Sequence, residues 1–404
     1  MVGNQEKEVE RDLVPCSVLV VGSSNTDYVL SGLNRLPQLG ETVLVQGANV
    51  SFRTAAGGKS ANAAVAASRF FAGEAQGSVS LITSVGEDEN GRNALQNYER
   101  EGIFAALSKR SPSEASGIAL ILLLSSGENA ILVAPGANAN LRPMDFEATA
   151  VDGHGEARLA ELRAASVVLM QLEIPYETVR WVANALYAPP LPRQRPVLIV
   201  NLAPMGCELT EPMLQELFFY GPIIVVNEVE CGQLLRILWA NNTEALEETL
   251  ETAAHDDWRT CLTGLMERAP ALAAIILTRG AAGACAVHRF GTASGTGSTL
   301  QWIQVAAVLS VGSASVVDTT GAGDCFCGYL AAALAQILYR RSAHASRHAE
   351  SATASRNLSL DDADFSRALR YATAAATLSV TRKGAQESYP MRQEVERFLR
   401  LWKD

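Results

Sequence analysis

The sequence predicts an α/β protein in which helices flank a mostly parallel central sheet and a small separate β-sheet forms a lid. The main observation is a series of short, continuous apolar runs rich in Val and Ile. They lie at residues 17–21, 79–83, 167–170, 197–201, 223–227 and 275–278. Such runs are typical of parallel strands buried on both faces. Helical stretches separate most of them, which favours parallel strands joined by helices.

Two segments, 41–54 and 117–135, interrupt this alternation with paired strand patterns around turn residues such as Ser125-Ser126-Gly127. They predict a small sheet of their own. Because ligands of an open α/β sheet bind beyond the carboxyl ends of its strands, we expect this sheet to cover that edge as a lid.

The predicted organisation is an N-terminal extension at 1–16 followed by one domain at 17–404. The lid segments are expected at about 27–56 and 117–135. Residues 342–357 are rich in Ser, Ala, Arg and His and contain almost no large apolar side chain. They bury too little apolar surface to order themselves, so a flexible insertion is predicted there.

Composition excludes several classes of protein. The 404 residues are 48% hydrophobic and 19% charged, with a formal net charge of −10. This charge argues against a nucleic-acid partner, because neutralising phosphates requires a basic surface. Seven cysteines without a C-x-x-C motif favour a reducing compartment. The N-terminus is charged and the apolar runs are too short to span a bilayer, so we expect a cytoplasmic protein without a signal peptide or membrane segment.

The sharpest motif is D-T-T-G-A-G-D at residues 318–324, which leads into an apolar helical run at 328–335. Small residues at a helix start let backbone N–H groups converge on an anion. Asp324 is then placed to accept a proton from a hydroxyl, while the amides of Gly321, Ala322 and Gly323 stabilise a transferred phosphoryl group. The alternative is a Gly-rich helix start in which Asp324 is only an N-cap.

This motif resembles the C-terminal signature of the pfkB-type carbohydrate kinases. Residues 20–27 (V-V-G-S-S-N-T-D) look like that family's first strand and sugar-binding loop, and residues 56–64 (A-G-G-K-S-A-N-A-A) look like its N-terminal signature. Further matches at 169–173, 201–204 and 227–230 follow in the expected order, and residues 380–390 resemble the tail of the ribokinase branch. The resemblance runs from about residue 17 to the C-terminus and implies a ribokinase-like fold.

The resemblance implies a sugar pocket of short polar side chains, which suits a ligand that offers several hydroxyls and no charge. Asp324 would be the base in that pocket. The substrate-binding residues would be Asn25, Thr26, Asp27, Gly57, Gly58, Lys59, Ser60, Ala61, Asn62 and Glu173.

The nucleotide side of the site is also implied by the resemblance. The ATP-binding residues would be Asn227, Thr278, Arg279, Gly280, Ala281, Ala282, Gly283, Gly323 and Thr373. Glu230 would hold a Mg²⁺ ion through water, in the oxygen environment which that ion prefers. For Asn227 and Glu230 the alternative is a plain acidic helix start.

Members of this branch also bind a monovalent cation, usually K⁺, beside the anion site. By position the ligands, mostly backbone oxygens, would be Asp318, Thr320, Ser379, Arg382, Gly384 and Ser388. The resemblance further implies a homodimer in which two lid sheets pack together. The apolar side chains of Ile118, Leu120, Leu122 and Leu124 need some such cover.

Three patterns invite other interpretations. Gly58-Lys59-Ser60 mimics the end of a Walker A motif, but the position that requires its first glycine holds Arg53. The glycines at 291, 295 and 297 lack the strand and helix of a dinucleotide-binding motif and are predicted to lie in a loop. Cys325 has no His at a telling spacing, which favours a buried thiol.

Three positions depart from the family pattern. Ser60 and Ala63 stand where many members carry Gly and Gln, and Thr373 stands where the adenine pocket often carries His or Asn.

The implied activity is ATP-dependent phosphorylation of D-ribose at its 5-hydroxyl. The alternatives are another pfkB-type sugar or nucleoside kinase, and a catalytically silent sensor of sugar or nucleotide. An intact Asp324, Gly321 to Gly323 and Glu230 argue against the sensor, which has no need of a base.

Overall fold

The computed structural model describes residues 15–402 except 46, 48–49, 75, 127, 190–193, 207–208, 292–299, 308–314 and 349–359. The strands are β1 (Cys16–Val21), β2 (Asn25–Leu33), β3 (Ser51–Gly57), β4 (Gly77–Ile82), β5 (Ser84–Gly86), β6 (Lys109–Ser111), β7 (Gly117–Leu124), β8 (Asn129–Ala134), β9 (Val167–Gln171), β10 (Val197–Asn201), β11 (Ile223–Asn227), β12 (Ala274–Thr278), β13 (Ala284–His288) and β14 (Gln301–Val305). The α-helices are α1 (Lys59–Phe71), α2 (Glu89–Arg100), α3 (Gly155–Ala164), α4 (Tyr176–Ala185), α5 (Glu211–Phe219), α6 (Glu228–Leu238), α7 (Thr243–Ala254), α8 (Trp258–Arg268), α9 (Ala322–His348), α10 (Asp362–Ser379) and α11 (Arg392–Leu401).

The large sheet has eight strands in the order β14-β13-β12-β11-β10-β9-β1-β4. The six strands from β12 to β4 run parallel, and each lies on one of the six apolar runs in the sequence. The prediction of a mostly parallel sheet is therefore confirmed. At the other edge, β13 pairs antiparallel with both β12 and β14. These two edge strands were not predicted.

Helices cover both faces of this sheet, and the strand side chains alternate between two cores. Val18 and Val20 of β1 pack into the core that contains α1, α9 and α10. Leu19 and Val21 pack into the core formed with α4, α5, α6 and α8. Because both faces of the sheet are covered, the central strands are apolar at most positions, which is why the sequence showed continuous runs.

Helix α9 lies between α1 and α10 in the core. By length and composition, the stretch Ala322–Ala345 could cross a membrane. However, 83% of its apolar part is buried inside the fold, as in the core helix of a globular protein. The helix extends to His348. Residues 342–348 of the segment predicted as a flexible insertion therefore continue this helix. Residues 349–357 of that segment lie outside the described residues, as do residues 1–14 of the N-terminal extension.

The small sheet has the order β3-β2-β7-β8, with β2 and β7 parallel and the other pairs antiparallel. Residues 117–135 form β7 and β8 as predicted. The prediction for 41–54 is only partly right, since β3 begins at Ser51 and the described part of 41–50 contains no strand. Instead β2 starts at Asn25, within the stretch expected to be a polar loop, because Asn25 and Asp27 pair with Gly57 and Ala55.

Candidate active site

The carboxyl ends of the parallel strands and the starts of two helices meet at one cavity. Lys59 is the first residue of α1, and Asp324 lies in the first turn of α9, which packs against α1. The cavity is lined by Lys59, Asn201, Ala203, Val225, Val226, Asn227, Glu230, Thr278, Thr319, Gly321, Ala322, Gly323 and Asp324. The structure thus brings the predicted base, the anion loop and Lys59 together.

The carboxylate of Asp324 is 6% exposed and accepts one hydrogen bond at each oxygen. Asn62 Nδ2 donates to Oδ2 over 2.9 Å, and Gln171 Nε2 donates to Oδ1 over 3.2 Å. Burial raises the pKa of Asp324 to about 6, while the charge of Lys59 and the bond from Asn62 hold it lower. Because both oxygens bond to side chains of other elements, the N-cap alternative is wrong.

Each of these amides is itself held by a further donor. Gln386 Nε2 donates to Asn62 Oδ1 over 2.9 Å across 324 residues of sequence, and Asn97 Nδ2 donates to Gln386 Oε1 over 2.9 Å. Ser60 Oγ donates to Gln171 Oε1 over 2.9 Å. Gln171 and Gln386 were not predicted to lie in the site, although both lie inside segments that carried the family resemblance.

Glu173 joins the sugar loop to the start of α1. Its Oε2 accepts from Ser23 Oγ over 2.5 Å and from the Lys59 backbone N–H over 3.0 Å. The pKa of Lys59 is raised, chiefly by the charge of Asp324, and Glu173 and Glu230 add to this effect. The Lys59 ammonium is therefore held in its charged form among three acidic groups.

Asp27 is 7% exposed, and burial, followed by the charges of Glu173 and Asp324, raises its pKa to about 7. The neighbouring backbone leaves no room for side chains. A Cβ on Gly57 would lie 2.0 Å from Asp27 Oδ1, and one on Gly58, where φ is +90°, would lie 2.7 Å from the Asn25 nitrogen. Both glycines are thus required by the close approach of β2 to the start of α1.

The other predicted sugar residues occupy different positions. Asn25 Oδ1 accepts from Asn138 Nδ2 over 2.8 Å, which orients the Asn25 amide. The Thr26 side chain lies on the opposite face of β2 from Asp27, because side chains alternate along a strand. Ser60 and Ala61 are fully buried, and the Ser60 hydroxyl is directed to Gln171. Contact of Thr26 and Ser60 with a sugar therefore stays a prediction, and the Ser60 hydroxyl already has a partner in Gln171.

An apolar cavity adjoins the polar one and shares Thr278, Thr319, Ala322 and Gly323 with it. Its other lining residues are Gly280, Ala281, Gly283, Ala307, Val316, Phe326, Thr373, Ala376, Thr377 and Val380. Thr373 is 3% exposed, and its buried hydroxyl has no hydrogen-bond partner among the described residues. A flat ligand with a polar edge would satisfy that hydroxyl.

Two predicted nucleotide residues do not line these cavities. The Arg279 guanidinium forms ion pairs with Glu228 and Asp256. Ala282 is the last residue of the short turn Gly280–Ala282 and does not line the apolar cavity, whereas Ala281 and Gly283 on either side of it do. The loop therefore presents Thr278, Gly280, Ala281 and Gly283.

Asn227 and Glu230 form a capping box at the start of α6. Asn227 Oδ1 accepts from the Glu230 N–H over 2.8 Å, and Glu230 Oε2 accepts from the Asn227 N–H over 2.9 Å. Asn227 and Glu230 therefore do start a helix, as the alternative interpretation states. Both residues also line the polar cavity, where burial raises the pKa of Glu230. The capping box uses Oε2 of Glu230. Oε1 of Glu230 is therefore the oxygen that could accept a hydrogen bond from a Mg²⁺-bound water.

The predicted cation residues lie on two adjoining loops. Asp318 Oδ1 accepts from the Thr320 N–H and Oδ2 from the Gly384 N–H, each over 2.9 Å. Ser379 and Ser388 donate their hydroxyls to nearby carbonyls, and Arg382 pairs with Glu394. In the described residues no three His, Cys, Asp or Glu side chains cluster as a metal site. Backbone carbonyls would have to supply most ligands, which fits a weakly held monovalent cation.

The patterns set aside in the sequence can also be located. Cys325 is fully buried, so the prediction of a buried thiol is confirmed. Gly291 makes an isolated bridge to Asp361, while the glycines at 295 and 297 lie outside the described residues.

Comparison with known proteins gives one consistent result. The model of the pfkB family carbohydrate kinases matches residues 16–392. The chain is 30% identical over 383 residues to the ribokinase of Bacillus subtilis, covering 95% of this chain and 99% of the relative. It is 28% identical over 385 residues to the deoxyribokinase of Salmonella typhi, covering 95% and 99%. The structure of Arabidopsis thaliana ribokinase complexed with ribose and ATP matches with a TM-score of 0.66 and 25% identity, covering 96% of this chain and 99% of that one.

Proposed function

Because the chain belongs to the pfkB family of carbohydrate kinases, we propose that it transfers the γ-phosphoryl group of ATP to the 5-hydroxyl of D-ribose. It is a phosphotransferase of the ribokinase type, with an alcohol as acceptor. The single observation that carries the proposal is the position of Asp324. This buried carboxylate opens onto the same cavity as Lys59 and the amides of Gly321, Ala322 and Gly323.

The proposed site divides into a sugar side and a nucleotide side. The sugar lies against Asn25, Asp27, Asn62 and Glu173, below the lid, with the backbone of Gly57 and Gly58 close by. The nucleobase occupies the apolar cavity beside Thr373. The phosphates extend over the shared residues Thr278 and Gly323 into the polar cavity, which is the direction in which the two cavities join.

In the reaction, Asp324 takes the proton of the 5-hydroxyl as the oxygen bonds to the γ-phosphorus. The bond from that phosphorus to the bridging oxygen breaks, and ADP leaves with the electron pair. The first-turn amides of α9 are directed at the charge on the transferred group, where a missing donor typically costs about 3 to 4 kcal/mol. A pKa of about 6 leaves Asp324 mostly ionised at neutral pH and still basic enough to accept the proton.

Two ions are part of the proposal. A Mg²⁺ ion near Glu230 would neutralise phosphate charge, and a K⁺ ion between the loops of Asp318 and Gly384 would steady the anion loop. The residues of this chain supply the oxygen ligands described above, and Asp318 already ties the two loops together.

We also propose that the enzyme is a cytoplasmic homodimer that binds neither nucleic acid nor membrane. The cysteines that the structure describes are free thiols, which supports a reducing compartment. They are Cys16, Cys231, Cys261, Cys285, Cys325 and Cys327.

A coupled assay of ADP release tests the substrate, with D-ribose, 2-deoxy-D-ribose, fructose and adenosine as acceptors, each with and without K⁺. We expect the highest kcat/KM with D-ribose, and stimulation by K⁺. Deoxyribose is the second candidate, because a relative of nearly full-length coverage is a deoxyribokinase. A higher kcat/KM for deoxyribose would replace the proposed acceptor. If none of the four acceptors stimulated ADP release, the proposal would be rejected.

A further inference from the structure

The two oxygens of Asp324 are held by two primary amides, those of Asn62 and Gln171. An amide side chain can present either its NH₂ group or its carbonyl oxygen to a neighbour, and the two ends have almost the same shape. Only the NH₂ end stabilises a carboxylate. The group that bonds to the far end of the amide therefore helps to decide which end faces Asp324.

For Gln171 that group is the hydroxyl of Ser60. Ser60 Oγ lies 2.9 Å from Gln171 Oε1, and both residues are fully buried. A hydroxyl that donates to Oε1 assigns the carbonyl end of Gln171 to Ser60 and the NH₂ end to Asp324. The fold leaves space for this hydroxyl, because a Cβ on Gly22 would lie 2.0 Å from Ser60 Oγ.

We propose that Ser60 is a positioning residue for phosphoryl transfer, whose hydroxyl orients the Gln171 amide so that an N–H faces the reacting carboxylate. The inference rests on the proposed role of Asp324 as the base. The Ser60 hydroxyl bonds to Gln171 and not to Asp324, so in this role it acts through Gln171.

The direction of the effect follows from the hydrogen bonds. An N–H directed at Asp324 favours its ionised form, whereas a carbonyl directed at it favours the protonated acid, which can donate. Without the Ser60 hydroxyl, Gln171 is free to turn its carbonyl toward Asp324. The carboxylate then holds its proton to higher pH. The other titratable groups around Asp324 are Asp27, Lys59, Glu173, Glu230, Cys325, Cys327 and Tyr389, and the substitutions below leave all of them unchanged.

The test compares kcat as a function of pH for wild type, Ser60→Ala, Gln171→Met and the double variant, at saturating sugar and ATP. We expect Ser60→Ala to move the acid limb upward by about 0.5 to 1 pH unit, a loss of about three- to tenfold on that limb, with near-normal kcat at pH 8. Gln171→Met should shift the limb in the same direction. Adding Ser60→Ala to Gln171→Met should not shift the acid limb further, because the Ser60 hydroxyl affects Asp324 only through the Gln171 amide.

Ser108→Ala is the matched control, since Ser108 is also a buried serine but donates to the Leu81 carbonyl. Its pH profile should equal that of wild type. A pH-independent loss of kcat in Ser60→Ala would overturn the inference, and so would additive limb shifts in the double variant. If Ser60→Ala does not fold, Ser60→Cys retains a weaker donor and should give a smaller shift in the same direction.

A titration without turnover separates this inference from the proposed function. Carboxyl ¹³C NMR of aspartate-labelled protein, assigned with Asp324→Asn, follows the Asp324 proton directly. An upward shift in Ser60→Ala supports the orienting role even if none of the sugars is phosphorylated, and an unchanged midpoint refutes it even if D-ribose is a good substrate.

Discussion

The carboxyl groups of Asp27, Glu173 and Asp324 lie close enough for their charges to act on one another, and the Lys59 ammonium partly offsets the charge of Asp324. Burial raises the pKa of Asp27 to about 7 and that of Asp324 to about 6, and Glu173 contributes to both shifts through its charge. Charge crowding of this kind is unfavourable for folding but useful for chemistry, because it brings the pKa of a carboxylate close to the working pH of a general base.

The first prediction concerns the pH dependence of the reaction. Asp324 must be ionised to accept a proton, so kcat should fall as the pH is lowered through about 6. Asp324→Asn should lose turnover by about 10² to 10⁴, because a positioned base typically contributes that much. Stopped assays across pH 5 to 8 at saturating substrates measure the profile, and calorimetric sugar binding to the variant serves as the control. Normal turnover in Asp324→Asn would reject the base.

The second prediction concerns stability. The pKa of Asp27 is higher in the folded chain than the usual value for Asp, so folding favours its protonated form. The penalty for ionising it is small at low pH, grows as the pH rises, and is complete above about 7. Asp27→Asn removes this penalty and should increase the free energy of unfolding by roughly 1 to 3 kcal/mol at pH 8. The gain should be smaller at pH 5. Urea unfolding at both pH values measures it, and equal gains would contradict the assigned cause.

The candidate site residues Asp27, Lys59 and Asp324 could be singled out from the sequence because they lie in short contiguous motifs that resemble those of a known family. The amides that orient them could not. Gln386 reaches Asn62 across 324 residues, and Gln171 reaches Asp324 across 153. No local pattern encodes such contacts, which depend on how α1, α9 and the C-terminal turn pack.

At the scale of elements, the start of α1 shows how backbone proximity builds the site. Gly58 is the N-cap of α1 with φ +90°, and a Cβ there would come within 2.7 Å of the Asn25 nitrogen and 2.8 Å of Ser24 Cα. Gly73, just beyond the other end of α1, has φ +84° but has no atom within 4 Å of such a Cβ. The two glycines thus share a left-handed backbone and differ in their surroundings.

The third prediction uses this pair. Gly73→Ala should cost about 1 to 2 kcal/mol, the typical strain of a left-handed conformation. Gly58→Ala should cost about 1 to 3 kcal/mol more, because its methyl group also displaces packed backbone. That displacement moves Asn25, so the KM for sugar should rise in Gly58→Ala and stay unchanged in Gly73→Ala. Chemical unfolding and steady-state kinetics measure both effects. Equal destabilisation of the two variants would show that the contact with β2 is not tight.

The elements themselves were predictable to different degrees. The six parallel strands are buried on both faces, so each left a continuous apolar run in the sequence. Strand β2 did not, since its first residues, Asn25 and Asp27, are polar and serve the site. Strands β13 and β14 lie at one edge of the sheet as an antiparallel pair, and the described part of the loop between them carries no tight hairpin signal.

At the scale of the whole molecule, the lid sheet has two unequal faces. Val29, Ala119 and Ile121 form a buried cluster on the face that also carries Asp27. On the other face, Leu120 and Leu132 lie opposite each other and are 44% and 58% exposed. Phe52, which is 64% exposed, stacks on Tyr28 of that face. The lid thus covers the site with one side and presents an apolar surface with the other, which is typical of a protein interface.

The fourth prediction is that this outer face of the lid joins two copies of the chain. Wild type should sediment at twice the chain mass of 43.0 kDa at micromolar concentration. Leu132→Glu places a charge on the apolar face and should shift the protein to monomer, because an unpaired charge in an interface is costly. In the proposed dimer each lid would help to close the site of its neighbour, so the KM for sugar should rise together with dissociation. Val151→Glu is the matched control, a fully exposed apolar residue outside the lid, and should leave both properties unchanged. A wild-type chain that sediments as a monomer, or a Leu132→Glu variant that remains dimeric, would show that the lid face has another use.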